Sequence, residues 1–465
     1  MHQHAKRAKG AAEFHTPRAL RPLPALSRAL LTRTKRARIG FFALALLLSF
    51  ASPACRPTPP AAVPHAQTAE RKLSAEDRRR ILLEVWQTIN DNFYDPSFGG
   101  VDWAAVRERH LRLADEAPTD FEFYGLCELM TAELRDSHTR YEPPAPPPDP
   151  SRPRTAEQQG AAGITLGEAE GRTVVLRVDA GSAAERAGVR PGQVVRAVNG
   201  RSVEDVRAEL RRRVAGASSE RAFQNLIGSS ILYGMVWGLP RRLRLEDAAG
   251  REFEYEVVRE PGGEEVRVEA RRLASGFAYV AFDAWRQPAG SRFGEELERL
   301  RDAPGLVIDL RGNPGGHTDV LLDIASHFFP RETYYGGFRR RDGQIDKYFT
   351  RRPARHYDKP VCILVDEMSA SASETFAAFL QEAGRAHVVG RQTAGSTHNM
   401  RSTRLPHGGT VHYSIRAYLT PGGRDPEGAG VIPDETIPLR LSDLREGRDA
   451  ALEAAESWLR ANAKN

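Results

Sequence analysis

The sequence predicts a multidomain α/β protein with a helical N-terminal segment, a β-rich middle and an α/β core, and three patterns predict it. Between residues 74 and 142, apolar residues recur at helical spacing. From about Gly160 they alternate in short runs broken by glycine turns. From about residue 264, strand-length apolar runs alternate with helical ones, as in a βα core. A chain of 465 residues also exceeds one ordinary core, which fits two or three domains.

Residues 1–54 hold ten Lys/Arg against the single Glu13. This surplus of +9, within a whole-chain charge of +6, leaves −3 for the remainder. A mildly acidic body argues against a nucleic-acid partner, whose phosphates need a basic surface. The basic stretch has the layout of an export signal: Arg33, Lys35, Arg36 and Arg38, an apolar run over 41–50, then small residues up to Ala54. The run is short for a bilayer span. Cleavage after Ala54 would expose Cys55, which resembles a bacterial lipoprotein site, although Pro53 is atypical of one. The expected location is the periplasm or cell envelope, with membrane attachment if Cys55 is lipidated. Residues 55–73 are Pro/Ala-rich and read as a tether.

Within 74–142, Leu82, Val85, Trp86, Ile89 and Phe93 share one helix face after Ser74-x-x-Asp77. Phe123, Cys127, Met130 and Leu134 share another after Thr119-x-x-Glu122, so two helices in a small bundle are expected. The segment ends at Asp136-Ser137-His138-Thr139, and the Pro-rich 143–156 reads as a second, stiff linker. Cys127 and Cys362 read as buried small apolar residues rather than a disulfide framework.

Residues 157–262 carry GITLGEAEGRTVVLRV and AGVRPGQVVRAVNG, which resemble a PDZ domain. That resemblance puts Gly163, Ile164, Thr165 and Leu166 at a loop binding a peptide's terminal carboxylate, with the peptide adding a strand to the sheet. The stretch from about Ala208 to Pro240 is longer than such a domain needs. Its apolar LIGSSILYGMVWG reads as packing on a neighbour or lining a substrate channel.

The core, 263–440, begins with the strand FAYVAFDAW, a helix from Phe293 to Leu300 and the buried strand GLVIDL. A glycine turn, RGNPGG, then precedes a helix near Asp319. In 361–384 a buried strand leads through a sharp turn to a helix whose buried face is Phe376, Phe379, Leu380 and Ala383. Ser371 stands at the junction, beside unpaired N–H groups and the positive end of the helix dipole, which suit an oxyanion. Ser371-x-x-Glu374 is equally a capping box. Residues 441–465 read as a C-terminal helix.

The DSHT loop, the PDZ-like insert, DLRGNPGG, and the Ser371 unit with GVIPD at 430–434 together resemble the C-terminal-processing (tail-specific) peptidases over about 74–440. The resemblance implies a serine peptidase with a crotonase-like or ClpP-like α/β core, and Ser371 as nucleophile. A serine needs a base. In one branch of the family a lysine supplies it, from a segment resembling VVGxxTxGK. Here the segment is VVGRQTAGS, Ser396 stands at the lysine position, and no lysine occurs between Lys359 and Lys464. The other branch, similar to the tricorn core protease, implies His138 as base, Ser137 orienting it, and Glu427 polarising Ser137 and stabilising imidazolium. His398 is the alternative base.

The same resemblance supplies the oxyanion hole from Ala372 and from Gly315 or Gly316. Asp309 and Arg311 read as a structural ion pair, and His407 and His412 as strand-end residues. No cluster has metal-ligand spacing, and no cofactor is expected. Substrates would be proteins or peptides with free C-termini, and docking of the His138 segment on the core would control activity. The rival readings are a non-proteolytic binder of hydrophobic ligands or peptides on this fold, and a PDZ scaffold with a silent site.

Overall fold

The computed structural model describes residues 73–144, 161–213, 216–233, 241–260 and 265–463. The leader, Cys55 and most of the second linker lie outside them. Among the described residues no helix is long and apolar enough to cross a membrane.

Three helices open the chain, α1 (Ala75–Asn92), α2 (Trp103–Glu116) and α3 (Asp120–Ala132), where apolar spacing predicts two. The stripe of α2 was hidden because its buried positions include His110 and its sequence is rich in Arg and Glu. The helices do not form a bundle of their own. Ile81, Val85, Phe123 and Met130 share a core with Tyr141 and with Leu405, Val411 and Tyr413 from the far end of the chain. Just after His138, β1 (Arg140–Glu142) pairs antiparallel with residues 410–412. That pairing anchors the His138 loop to the hairpin strand over 410–412.

The middle section contains β2 (Ile164–Ala169), β3 (Arg172–Val178), α4 (Ala183–Arg186), β4 (Val194–Val198) and β5 (Arg201–Ser202). It continues with α5 (Val203–Arg213), α6 (Glu220–Tyr233), β6 (Arg242–Glu246) and β7 (Glu252–Glu256). The sheet order is β2-β3-β4-β6-β7, with β5 on β4, so β2 is an edge strand.

The core runs β8 (Val268–Arg272), β9 (Ala278–Phe282), α7 (Ala289–Arg299), β10 (Leu306–Asp309), α8 (Thr318–Ser326), β11 (Tyr334–Arg339) and β12 (Ile345–Phe349). It continues with β13 (Val361–Val365), α9 (Ala372–Glu382), β14 (His387–Gly390), β15 (Asn399–Arg404), β16 (Thr410–Leu419) and β17 (Glu435–Thr436). Its main sheet has the order β17-β14-β13-β10-β9-β8, parallel except at β8. A second sheet, β1-β16-β11-β12 with β15 on β16, holds the hairpin that meets the N-terminal helices.

All five residues of β13 are buried, as expected of a strand covered on both faces. On one face Phe376, Phe379 and Leu380 of α9 are fully buried, each stabilising by about 2 kcal/mol. The other face is covered by Ala451, Ala455 and Leu459. Instead of one C-terminal helix there are two, α10 (Leu441–Glu446) and α11 (Ala450–Asn462), separated at Gly447, whose φ of 69° makes a left-handed cap.

Candidate active site

Parallel neighbours β10 and β13 deliver their carboxyl ends side by side, Asp309 opposite Leu364, so the turn after each strand meets the other. The crevice beyond such strand ends is where open α/β sheets place ligands. After β13 the chain turns sharply, and Ser371 adopts φ 54°, ψ −115°, a conformation a non-glycine residue takes at a cost of about 1–3 kcal/mol. The surrounding bonds hold it there. Its N–H donates to Ser396 O (2.8 Å) and Glu374 Oε2 (3.0 Å).

The glycine turn is sewn to this elbow by Asn313, which is fully buried. Asn313 O accepts from Ala370 N–H (3.1 Å) and Ser373 Oγ (3.0 Å), while its side chain donates to Phe282 O (2.8 Å). Gly315, at φ 99°, lies so close that a Cβ there would sit 2.7 Å from Ala370 O and from Ser371 Cβ. The three predicted oxyanion donors are not equivalent, however. Gly315 N–H is spent on Asn313 Oδ1 (2.9 Å), whereas the N–H groups of Gly316 and Ala372 are in none of the described hydrogen bonds.

The other predicted site residues gather around the loop 393–398. Glu427 Oε2 accepts from Thr397 N–H (2.5 Å), Thr397 Oγ1 (3.0 Å) and His398 N–H (3.2 Å). Its Oε1 accepts from Ser218, not from Ser137. Ser137 is one step removed: its Oγ accepts from Ser218 N–H, and its N–H donates to Ser218 Oγ, both at 2.8 Å. His138 N–H donates to Asp136 Oδ1 (2.9 Å), and its Nδ1 is buried without a partner. The expected bond from Ser137 to the imidazole is therefore not made, and no hydrogen bond joins His138 to Ser371. Burial, reinforced by the charges of His398 and Arg140, holds the His138 pKa below its ordinary value against the pull of Asp136 and Glu427.

Residues 276–437 match the family described as peptidase family S41, 74–132 match the tricorn protease C1 domain, and 174–222 match a PDZ domain. A carboxyl-terminal-processing protease of Synechocystis sp. is 26% identical over 80% of this chain and 84% of its own. A chloroplastic carboxyl-terminal-processing peptidase of Arabidopsis thaliana is 29% identical over 78% and 70%. The chain is a serine peptidase whose residues 276–437 form its S41-family segment. The fold agrees: a photosystem II D1 C-terminal processing protease superposes with a TM-score of 0.52 at 23% identity, over 83% of this chain and 98% of that one.

This peptidase carries buried polar groups at its candidate site that sequence spacing does not expose. His398, the alternative base, is 2% exposed. Its Nδ1 donates to Asp136 Oδ2 (2.9 Å), and its Nε2 lies 3.8 Å from Asp425 and 3.9 Å from Glu427. Burial works against its charge, yet Asp136, Asp425 and Glu427 push its pKa up to about 10. Asp136, His398 and Glu427 are the metal-type ligand group among the described residues, their ligand atoms within 4.8 Å of one another. They lie up to 291 positions apart, so no spacing in the sequence could reveal them. The Asp136 and Glu427 oxygens nearest the ring already accept hydrogen bonds, which builds the cluster around a cationic imidazole.

Glu374 is the second such group. It is fully buried, and its two oxygens take four donors: Thr393 Oγ1 (2.5 Å), Gly395 N–H (2.6 Å), Ser396 N–H (2.8 Å) and Ser371 N–H. Burial pushes its pKa from 4.5 up to about 7 against those bonds. A raised acid of this kind contributes most stability below pH 4.5 and loses that contribution as pH rises through about 7. Glu374→Gln would set an amide N–H2 against N–H donors. A denaturant midpoint at pH 7 should show a loss of about 2–3 kcal/mol, and an unchanged midpoint would contradict this role for Glu374.

The predicted carboxylate-binding loop is not open. Val175 uses its N–H and C=O toward residues 192–193, so its antiparallel partner Leu166 turns its own outward, along the edge a peptide strand would use. Helix α6 lies on that edge, and a Cβ on Gly228 would be 2.9 Å from Leu166 O. Ile164 and Leu166 pack with Phe223, Ile227 and Ile231 of α6, and Ala162 N–H donates to Tyr233 Oη (3.3 Å). The apolar stretch read as a neighbour-packing or channel segment thus covers the domain's own β2, at least as far as Tyr233; residues 234–240 lie outside the described residues. A cavity of about 630 Å³ between β3 and the core reaches Gly312, Asp366 and Met368 but neither Ser371 nor His138.

The remaining polar expectations are simpler. Arg311 pairs with Asp309 (2.6 Å) and also with Asp449 (2.8 Å). His407 and His412 sit at the β15–β16 hairpin, bonded to Tyr141 Oη (2.7 Å) and Ser402 Oγ (2.8 Å). Cys127 and Cys362 are buried and free.

Proposed function

We propose that this peptidase is exported and cleaves proteins or peptides with free C-termini by acylation of Ser371, with His138 as general base. The observation that carries this is the strained Ser371 elbow at the end of β13, with two N–H groups, of Gly316 and Ala372, that no other group among the described residues uses. In this mechanism His138 takes the Ser371 hydroxyl proton as Oγ attacks the scissile carbonyl. The two N–H groups receive the oxyanion, and imidazolium returns the proton to the leaving amine. Water then hydrolyses the acyl-enzyme by the same route. Glu427 stabilises the imidazolium. His398 is unsuited as the base, because a group with a pKa of about 10 is already protonated at neutral pH.

The match of residues 74–132 to the tricorn C1 domain supports the histidine branch over a lysine one. Under this reading a C-terminal tail that adds to β2 must first displace α6. The leader 1–54 would direct export, leaving Cys55 at the mature terminus for lipidation. The test is to incubate the mature chain with a fluorophosphonate and with paired peptides bearing free or amidated C-termini, and to take its intact mass. Labelling at Ser371, faster cleavage of the free-acid peptide and a mass beginning at Cys55 are expected. Peptide binding without label or cleavage would make the protein a binder on a peptidase fold.

A further inference from the structure

We propose that Ser218, which heads α6 from within the PDZ insertion, is a positioning residue of the relay, joining Glu427 to the Ser137-His138 loop. This rests on the reading of His138 as base. The relay expected from sequence joins Glu427 directly to Ser137, but one carboxylate oxygen of Glu427 is occupied by Thr397 and His398, and the other accepts the Ser218 hydroxyl. Ser218 then grips Ser137 twice, N–H to Oγ and Oγ from N–H, at 2.8 Å each. A hydroxyl that gives its proton to a carboxylate and accepts a backbone N–H has both functions used. Ser137 Oγ keeps a lone pair and its own proton free to meet the imidazole, whose buried Nδ1 has no hydrogen-bond partner among the described residues.

The placement of Ser218 is itself fixed by α6. Ser219 donates to Ala394 O and caps the helix by accepting Ala222 N–H (3.0 Å). Arg221 donates to Thr393 O (2.5 Å), Gly428 O (3.1 Å) and Ala429 O (2.7 Å), so it ties the helix head to the loops on both sides of the site. The body of the same helix covers the edge of β2. The residue that completes the relay is therefore carried on the element that fills the peptide edge of the PDZ domain.

The experiment compares Ser218→Ala, Ser218→Thr and His138→Gln with wild type, reading kcat, KM, the pH profile of kcat/KM and Tm on one fluorogenic peptide. Ser218→Ala should lower kcat about tenfold, the worth of one hydrogen bond, with KM within about twofold. Its acid limb should move to higher pH, because a Glu427 charge relieved of a donor acts more strongly on His138. Ser218→Thr, which keeps the hydroxyl, should restore both. Unchanged kcat and limb in Ser218→Ala, or a loss that threonine does not repair, overturns the role of Ser218 while an inactive His138→Gln leaves the base assignment standing. If His138→Gln remains active, the base assignment has failed and this inference falls with it.

Discussion

Replacing His138 by Gln should lower kcat/KM by about 10⁴-fold or more while leaving the unfolding midpoint close to that of the wild type. The side chain makes no hydrogen bond through Nδ1, so a glutamine there costs the fold little. Under the proposed mechanism it costs the reaction its proton acceptor, since the Ser371 hydroxyl cannot ionise unaided at neutral pH. The environment of His138 also fixes the pH dependence. Burial lowers its pKa from 6.5, and the cationic neighbours His398 and Arg140 add to that. A base with a lowered pKa is neutral, and active, over a wider range, and activity is lost only as pH falls through that lowered value. The acid limb of kcat/KM should therefore lie below pH 6.5, with a slope of one proton. A limb above 6.5, or a His138→Gln variant keeping a tenth of the activity, would remove His138 from the mechanism.

What the sequence discloses about this site follows the range over which each interaction acts. The Ser371 elbow was legible because strand, turn and helix are local: five apolar residues, a serine, and then a helical stripe whose bounds in the structure are Ala372–Glu382. The glycine turn was legible for the same reason. Which of its N–H groups stays free was not, because that depends on Asn313 folding its side chain back onto Gly315. Helix α2 and the break at Gly447 were missed where polar residues diluted the apolar period or one glycine cut it. Ser218, Asp136, His398 and Glu374 were invisible in their present relations. Each is a polar residue of ordinary type, and its meaning lies mostly in partners 19 to 278 positions away. That Asp136 and His138 lie near the loop 393–398 follows from the packing of Asp136 on His398, a contact between distant parts of the chain. The direct contact between Ser137 and Glu427 was not met, because the insertion that separates them reads as merely apolar.

Replacing His398 by Ala should destabilise the protein by about 3–5 kcal/mol, because it strands a buried carboxylate without its cation. Asp136 is only 4% exposed and donates nothing itself. It accepts from His138 N–H, Ser414 Oγ and His398, and although burial alone would raise its pKa, these partners pull it down to about 2. The ring of His398 also packs against Tyr94, 4.3 Å between centroids, so the residue pins the N-terminal helices to the loop that carries Thr397. The two shifts bound the pH window of the interaction. The raised His398 contributes fully below pH 6.5 and loses its contribution as pH rises through about 10. The lowered Asp136 contributes fully above pH 3.8 and loses it as pH falls toward 2. Urea midpoints should thus separate wild type from His398→Ala most widely between about pH 4 and 6.5, and converge toward pH 10. Adding Asp136→Asn to His398→Ala removes the stranded charge and should recover part of the loss, by the logic of a double-mutant cycle. If the double variant is no more stable than His398→Ala, or the gap does not narrow in alkali, His398 is held by packing rather than by charge. The catalytic consequence then separates as well: a charge that is lost raises the acid limb set by His138, and a packing residue leaves it where it was.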